Sequence, residues 1–177
     1  MIYLGADHRG YELKEKAKQW LTDWNYQFED CGAFEYNKGD DYPDFISKVA
    51  QKVSEDSENN QGIILGMSGQ GEAIVANKFK GVRAVVFYGP SYELKGFKSW
   101  AMALGGHAGI VEGMYNDKLK EIITLSREHN NANVLSLGAS FLHERAAKYF
   151  IKLWLETKFS GEERHIRRIN KIKQLEQ

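Results

Sequence analysis

Residues 62–78 read Gly-Ile-Ile-Leu-Gly-Met-Ser-Gly-Gln-Gly-Glu-Ala-Ile-Val-Ala-Asn-Lys, and this stretch decides the fold. It opens with an apolar run typical of a buried strand, which leads into a glycine-rich turn and a short helical pattern. A turn between a strand and a helix N-terminus directs unpaired backbone N–H groups at one point, where they bind anions. Ser68 and Glu72 lie in the same turn. The stretch therefore predicts an anion site beside a carboxylate base, suited to proton transfer on a phosphorylated or enolate-forming substrate.

The turn matches neither of two common phosphate-binding motifs. A Walker A loop has a lysine and a serine or threonine after its last glycine, whereas Glu72 follows Gly71 here. The glycine spacing also differs from the GxGxxG of dinucleotide-binding proteins. Taken alone, the turn is equally compatible with a purely structural role.

Strand and helix patterns alternate along the chain. Strands are predicted at residues 2–6, 26–31, 62–65, 82–87 and 133–137. Helices are predicted at residues 11–24, after an N-cap at Asp44, at residues 117–127, around residues 146–154 and from residue 162 onward. Strands separated by helices form βαβ units, so we predict an α/β fold with a mainly parallel five-stranded sheet. Residues from about 90 to 116 break the rhythm and are interpreted as an ordered insertion in one domain spanning residues 1–177.

Composition narrows the class of protein. Lys plus Arg and Asp plus Glu both number 24 in 177 residues, and a net charge of zero argues against a nucleic-acid partner. No apolar run approaches the roughly 20 residues of a membrane helix, and Met1 is not followed by the pattern of a signal peptide. The single cysteine, Cys31, excludes an internal disulfide and a cysteine-rich zinc site. We therefore expect a cytoplasmic protein with no membrane partner.

Polar clusters lie at both ends of the predicted sheet. Asp7 and His8 follow the first strand, and the glycine turn follows the third, so both belong to the carboxyl ends of parallel strands, where ligands bind. His129 precedes the fifth strand and so lies at the opposite end. It would reach the other cluster only from a second copy or through an unusual approach of the chain, which points to a dimer with shared sites. The alternatives are that Asp7 caps the first helix, that His8 is a surface residue, and that His129 is a helix C-terminal cation.

The terminal helix carries three basic side chains on one face. Arg164, His165 and Arg168 recur at helical spacing and suit a phosphate clamp. The alternative is an ordinary solvated basic face.

Five motifs occur in one order along the chain: Gly5-Ala-Asp-His-Arg-Gly-Tyr-Glu-Leu-Lys14, Asp41-Tyr-Pro-Asp44, Gly69-x-Gly71 with Ala76-Asn-Lys78, Arg127-Glu-His-Asn-Asn-Ala-Asn133 and Arg164-His-Ile-Arg-Arg168. In this the chain resembles the family of ribose-5-phosphate isomerase B and galactose-6-phosphate isomerase. The resemblance implies a Rossmann-like three-layer α/β/α sandwich and a homodimer or homotetramer whose active sites take residues from both subunits. It also implies an aldose–ketose isomerisation of a sugar phosphate through a cis-enediolate, with no metal and no cofactor.

The resemblance assigns roles to named positions. One branch of the family uses a cysteine base at the position of Gly66, and a second uses a glutamate after the turn, which Glu72 matches. Near a helix N-terminus this carboxylate is expected to stay ionised. Ser68 and the N–H groups of the turn would stabilise the enediolate oxygen, and His129 matches the acid that opens the furanose ring. The positions implied in substrate binding are Asp7, His8, Tyr42, Met67, Gly69, Gln70, Gly71, Asn130, Arg164, His165 and Arg168.

Two departures from the family leave the substrate open. Ser140 stands where an arginine for phosphate is common, and the insertion is the other departure. Either Lys95 or Lys98 of the insertion replaces that arginine, or the substrate differs. Ribose 5-phosphate and ribulose 5-phosphate are the expected pair, and a four- or six-carbon sugar phosphate is the alternative. A non-catalytic sugar-phosphate-binding module is an alternative of another class, although it predicts loss of Glu72 or His129, and both are present.

Overall fold

The protein is built on one five-stranded sheet, seen in a computed structural model that describes residues 1–89 and 117–176. The strands are β1 (Ile2–Ala6), β2 (Phe28–Asp30), β3 (Gln61–Gly66), β4 (Ala84–Phe87) and β5 (Val134–Gly138). Their order across the sheet is β2-β1-β3-β5-β4, and every neighbouring pair is parallel. The predicted parallel sheet is confirmed, with β3 and its glycine turn at the centre.

Helices connect the strands on both faces of the sheet. They are α1 (Tyr11–Asp23), α2 (Tyr42–Glu55), α3 (Gln70–Ala76), α4 (Asp117–Glu128), α5 (Glu144–Glu156) and α6 (Glu163–Lys173). The predicted N-cap at Asp44 is wrong, because α2 is capped by Asp41 and contains Pro43 in its first turn. Proline is well suited to that turn, since it lacks only an N–H that would have no intrahelical partner there.

Two hydrophobic clusters lie on opposite faces of the sheet and define three layers. Leu4, Ile63 and Leu65 face a core that includes residues of α1, α4 and α5. Tyr3 and Ile64 point the other way, into a core formed with α2 and α3. Alternate residues of one strand point to opposite faces, so a parallel sheet covered by helices on both sides needs continuous apolar strands. The three-layer α/β/α sandwich is confirmed.

The sheet positions the candidate site by bringing three strand ends together. Ala6 at the end of β1 pairs with Leu65, and Gly66 at the end of β3 pairs with Gly138 at the end of β5. The chain also approaches closely here, since a Cβ on Gly10 would collide with the carbonyl group of Leu65. The loops after β1, β3 and β5 therefore meet at the carboxyl end of the sheet.

The last helix, α6, buries only His165 and Ile169. Ile166, Ile172 and Leu175 in and after it are exposed to 43%, 46% and 79%. Across residues 1–89 and 117–176, no helix combines the length and the apolar character needed to cross a membrane.

Candidate active site

The carboxylate of Glu72 lies directly over the backbone of Gly66. A Cβ built on Gly66 would overlap Oε1 and Cδ of Glu72, so the glycine leaves the space that the carboxylate fills. Glu72 sits in the first turn of α3 and is only 4% exposed. The base predicted from the sequence is therefore a buried carboxylate held against the end of the central strand.

Its surroundings raise the pKa of Glu72 above the ordinary 4.5. Burial is the largest cause and the negative charge of Asp7 adds to it, while a hydrogen bond from the backbone N–H of Glu72 itself acts in the opposite direction. Burial outweighs the hydrogen bond from the backbone N–H because the carboxylate is almost fully removed from solvent. The shift of the pKa thus runs against the expected effect of the helix N-terminus, and ionisation of Glu72 at neutral pH stays a prediction. A raised pKa makes the group a stronger base once it is ionised.

The glycine turn is held in place by the neighbouring strand β5 and the loop after it. Ser136 Oγ donates a hydrogen bond to the carbonyl of Gly69 at 2.6 Å, and the N–H of Ala139 donates to the carbonyl of Gly66 at 2.8 Å. The N–H of Ser140 donates to the carbonyl of Met67 at 3.1 Å. Gly69 has a φ of 75°, a left-handed conformation that glycine adopts without strain. The turn is thus a fixed feature of the fold.

The side chains of the turn face partly outward. Ser68 is half-buried, and its Oγ accepts a hydrogen bond from the N–H of Gln70 at 3.3 Å. The amide of Gln70 donates to the hydroxyl of Tyr88, and Met67 is half exposed. The Tyr42 ring packs on Gly71, since a Cβ there would lie 2.9 Å from Cζ of Tyr42. The structure therefore brings Tyr42 to the glycine turn, and its role in substrate binding stays a prediction.

Asp7 and His8, in the loop after β1, lie at the same carboxyl end of the sheet as the glycine turn. Asp7 is buried, and its Oδ1 accepts hydrogen bonds from the N–H groups of Arg9 at 2.9 Å and Gly10 at 3.1 Å. The N-cap of α1 is Gly10, so Asp7 orders the turn before the helix and is not its cap. His8 is not a free surface residue, because its Nδ1 lies 2.6 Å from Oδ1 of Asp40.

Asp7, His8 and Asp40 offer three ligand atoms within 4.8 Å of one another, the one such group found in the described part of the chain. The short distance between Nδ1 and Oδ1 is that of a direct hydrogen bond, in which the histidine nitrogen is engaged with the carboxylate. The arrangement is that of a histidine–aspartate pair beside a second carboxylate.

A second cluster lies at the opposite end of the sheet, where α4 ends before β5. The rings of His129 and His165 lie with their centroids 4.2 Å apart. His165 is buried, its Nδ1 lies 2.8 Å from Oγ of Ser160, and burial together with the charges of His129 and Arg164 lowers its pKa. One chain therefore carries Glu72 and His129 at opposite ends of the same sheet.

Two arginines, the buried Arg83 and the partly buried Arg127, fix the turn that follows His129. Arg127 Nη1 donates to Oδ1 of Asn131 at 3.3 Å, and Arg83 Nε donates to the carbonyl of Asn131 at 2.8 Å. Asn131 has a φ of 44°, in the left-handed region. Burial lowers the pKa of both guanidinium groups. The hydrogen bonds of these two arginines to Asn131 thus fix the segment that carries His129 and Asn130.

The predicted phosphate arginines are solvent-exposed on α6. Arg164 Nε donates to Oε2 of Glu162 at 2.7 Å, and Arg168 and Asn130 are exposed. Ser140, which stands where the family often has arginine, is also exposed. Lys95 and Lys98, named as its substitutes, lie outside the described residues, as does the predicted insertion.

Sequence reasoning missed three neighbours of the predicted site. Ser136 bonds Gly69, Tyr88 bonds Gln70, and Asp40 bonds His8. Each contact joins residues at least 18 positions apart, so no local pattern encodes it. The available signal was position. Ser136 is in β5, which flanks β3, and Tyr88 directly follows β4, the next strand beyond β5. Asp40 directly precedes the Asp41-Tyr-Pro-Asp44 motif.

Comparison with known proteins identifies the family of the chain. The family model of the Ribose/Galactose Isomerase family matches residues 2–92 and 99–172, and the unmatched residues 93–98 fall within the predicted insertion. A ribose-5-phosphate isomerase B of Mycobacterium leprae is 33% identical over 99% of this chain and 89% of the relative. That of Escherichia coli is 31% identical over 99% of this chain and 96% of the relative.

Solved structures give the same result. The crystal structure of ribose-5-phosphate isomerase B from Mycoplasma genitalium with bound ribulose-5-phosphate has a TM-score of 0.79 and 30% identity, over 99% of this chain and 95% of the other. The enzyme from Clostridium thermocellum has a TM-score of 0.76 and 32% identity, over 99% and 96% of the two chains. The fold and site thus define a protein of the Rossmann-like α/β/α class with a buried carboxylate on a glycine turn. The chain belongs to the Ribose/Galactose Isomerase family.

Proposed function

We propose that this protein is an aldose–ketose isomerase that interconverts ribose 5-phosphate and ribulose 5-phosphate. The observation that carries the proposal is the buried carboxylate of Glu72, whose pKa is raised and which lies over Gly66 in the glycine turn. Family membership and the relative crystallised with ribulose-5-phosphate support the choice of substrate.

Glu72 moves one proton between two carbons of the open-chain sugar. In the direction from aldose to ketose, ionised Glu72 removes the hydrogen on C2 while the C1 carbonyl becomes an enediolate oxygen. The proton of the C2 hydroxyl passes to the C1 oxygen, and the protonated Glu72 returns the hydrogen to C1, so that C1 becomes the CH2OH group and C2 the ketone. The backbone N–H groups of the turn and the Ser68 hydroxyl stabilise the negative oxygen in the intermediate.

A site with both clusters requires two copies of the chain. Glu72 lies after β3, whereas His129 precedes β5, so the two belong to opposite ends of one sheet. In a homodimer or homotetramer, His129 opens the ring and Arg164 and Arg168 bind the phosphate in the partner's site. The exposed apolar side chains of α6 support a role for this helix in the contact between copies. The free, buried Cys31 is in keeping with a reducing cytoplasm as the place of action.

The competing functions make different predictions about the same residues. A binding module without activity needs no buried base, and a raised pKa at the centre of the site is a cost that catalysis explains better than binding. An isomerase of a four- or six-carbon sugar phosphate would retain Glu72 and differ in the residues around the sugar. Ser140 and the stretch around Lys95 and Lys98 are where such a difference would lie.

Substrate and reaction are tested together with a panel of sugar phosphates. The purified protein is incubated in deuterated water with aldose and ketose phosphates of four, five and six carbons, and interconversion and label at C1 and C2 are followed by NMR. We expect the five-carbon pair to turn over with deuterium incorporation. A preference for a four- or six-carbon sugar phosphate would identify a different substrate. Absence of turnover with every sugar would overturn the proposal.

Shared sites are tested by mixing two inactive variants. Glu72→Gln and His129→Ala protein are unfolded together, refolded, and assayed against each variant refolded alone. A mixed dimer has one site with both defects and one intact site, so about a quarter of the wild-type activity returns if half of the dimers are mixed. Activity that stays at the level of the separate variants would show that each site lies within one chain.

A further inference from the structure

The carboxylate of Asp40 has hydrogen-bond contacts with His8 alone among the residues that the structure describes. Its Oδ1 lies 2.6 Å from Nδ1 of His8 and accepts a second hydrogen bond from the backbone N–H of His8 at 3.1 Å. The other oxygen, Oδ2, is buried without a hydrogen-bond partner within the described residues. The two side chains are only 15% and 7% exposed. A buried carboxylate of this kind is costly, and its contact is dedicated to one imidazole ring.

The contact decides which ring nitrogen carries hydrogen. An ionised carboxylate only accepts hydrogen bonds, so the hydrogen in the short contact with Asp40 belongs to Nδ1 of His8. Asp7 Oδ2 lies 3.9 Å from the same nitrogen, which places a second negative group beside it. The rings of Tyr36 and His8 are nearly perpendicular, with their centroids 6.3 Å apart. With Nδ1 engaged, Nε2 is the ring atom that remains for a ligand.

His8 also lies on the substrate side of the sheet. It follows β1, whose end pairs with the end of β3, and the charge of its neighbour Asp7 acts on Glu72. His8 and Glu72 therefore lie at the same carboxyl end of the sheet. Asp40 contacts His8 from the loop before α2.

We propose that Asp40 is a positioning residue: it holds His8 with Nδ1 hydrogen-bonded to its carboxylate, so that Nε2 faces the sugar phosphate. This rests on the proposed function, because it assigns the work of His8 to substrate binding there. In other enzymes, too, a carboxylate that is hydrogen-bonded to one nitrogen of a histidine ring sets the tautomer and the orientation of that ring.

Kinetics separate positioning from a merely structural role. Asp40→Ala is expected to raise KM for ribose 5-phosphate about 10-fold, the loss of one charge-assisted contact, with kcat changed less than about twofold. The double variant His8→Ala with Asp40→Ala is expected to match His8→Ala alone, since Asp40 acts only through His8. Glu35→Gln, an exposed carboxylate of the same loop, is the matched control and is expected to leave both constants unchanged. Additive losses in the double variant would overturn the proposal.

Spectroscopy tests the contact without any substrate. In ¹⁵N-histidine-labelled wild-type protein, the ring signals of His8 are identified by their absence in His8→Ala, and Nδ1 is expected to carry a hydrogen. Asp40→Asn, which keeps the shape and removes the charge, is expected to speed the exchange of that hydrogen with water. A hydrogen-free Nδ1 in the wild-type protein overturns the proposal even if every Asp40 variant fails to fold. Failure of the isomerase assay alone would overturn the proposed function and leave this contact standing.

Discussion

The side chain of Glu72 occupies the volume that any side chain at position 66 would need. A Cβ on Gly66 meets the carboxylate carbon and Oε1, so the two positions exclude each other sterically. The family resemblance implies that one branch has a cysteine base at the position of Gly66. In this chain the carboxylate of Glu72 fills the space that a side chain at that position would need.

We predict that Gly66→Ala inactivates the protein by displacing the base. The added methyl group pushes the Glu72 carboxylate away from the strand end, and a displacement of about 1 Å costs on the order of 100-fold in kcat. Overpacking lowers the free energy of unfolding by about 1–3 kcal/mol, measured by urea denaturation.

The double variant Gly66→Ala with Glu72→Ala serves as the control. It removes the overlap, so the lost stability should return while activity stays absent. Gly39→Ala, whose nearest neighbour to a Cβ is 3.6 Å away, should change neither property. If Gly66→Ala is as active as the wild-type protein, the carboxylate tolerates another position.

Replacing Glu72 by glutamine should separate binding from chemistry. Glu72→Gln keeps the shape but cannot accept the C2 proton, so kcat should fall by at least about 1,000-fold. Binding of ribose 5-phosphate, measured by calorimetry, should be retained within a few-fold. Substantial remaining turnover would place the base elsewhere.

The same variant should be more stable than the wild-type protein at neutral pH. The folded state raises the pKa of Glu72, so its contribution to stability is fully present below the unfolded value of about 4.5 and is lost as the pH rises through the folded value. Glutamine mimics the protonated form at every pH. The difference in Tm between Glu72→Gln and wild type should therefore be largest at pH 7–8 and shrink toward pH 4, and a constant difference would contradict this.

The acid limb of the pH–rate profile should report Glu72. Because activity needs the ionised carboxylate and its pKa is raised, kcat/KM should begin to fall at a pH above 4.5. Asp7→Asn removes the neighbouring negative charge and should move the limb to lower pH, without returning it fully because burial remains. The position of the limb is the measurement, since Asp7→Asn is also expected to lower the height of the profile. An unmoved limb would mean that Asp7 does not act on the base.

Lys14 should be far more important for stability than its place in a helix suggests. The side chain is fully buried, and its Nζ lies 2.7 and 2.6 Å from the two carboxylate oxygens of Asp30. Lys14→Met should lower the free energy of unfolding by about 3 kcal/mol, the lower end for a broken buried pair, because Lys18 still contacts Asp30 at 2.8 Å.

The exposed pair of Lys16 and Glu144 provides the comparison. Both side chains are 49% exposed at a distance of 2.6 Å, so Lys16→Met should change the free energy of unfolding by less than about 1 kcal/mol. Equal effects of the two substitutions in chemical denaturation would contradict the difference in burial.

The fold was predictable because the signals for it are local. Alternating strand and helix patterns place β1 at its observed bounds of Ile2–Ala6, and the glycine turn after β3 is where the sequence puts it. Strand ends are less predictable: β2 covers only Phe28–Asp30 of the predicted 26–31, because a strand extends only as far as its neighbour pairs with it.

The sequence indicates which residue types carry the chemistry of the site, but it does not indicate the surroundings of those residues in the fold. Glu72 is singled out by the turn, yet the direction of its pKa shift depends on how deeply the fold buries it. The partners of Lys14 and His8, Asp30 and Asp40, lie 16 and 32 positions away. Such contacts are products of the tertiary fold, and a helical or strand pattern carries no record of them.

The short edge strand β2 affects how copies of this chain can aggregate. At one edge, β2 has only three residues, and two of them are the carboxylates Glu29 and Asp30. A foreign strand added there would have to desolvate charge, and Asp30 is already committed to Lys14. That edge therefore resists the amyloid-like addition of a strand from a neighbouring molecule.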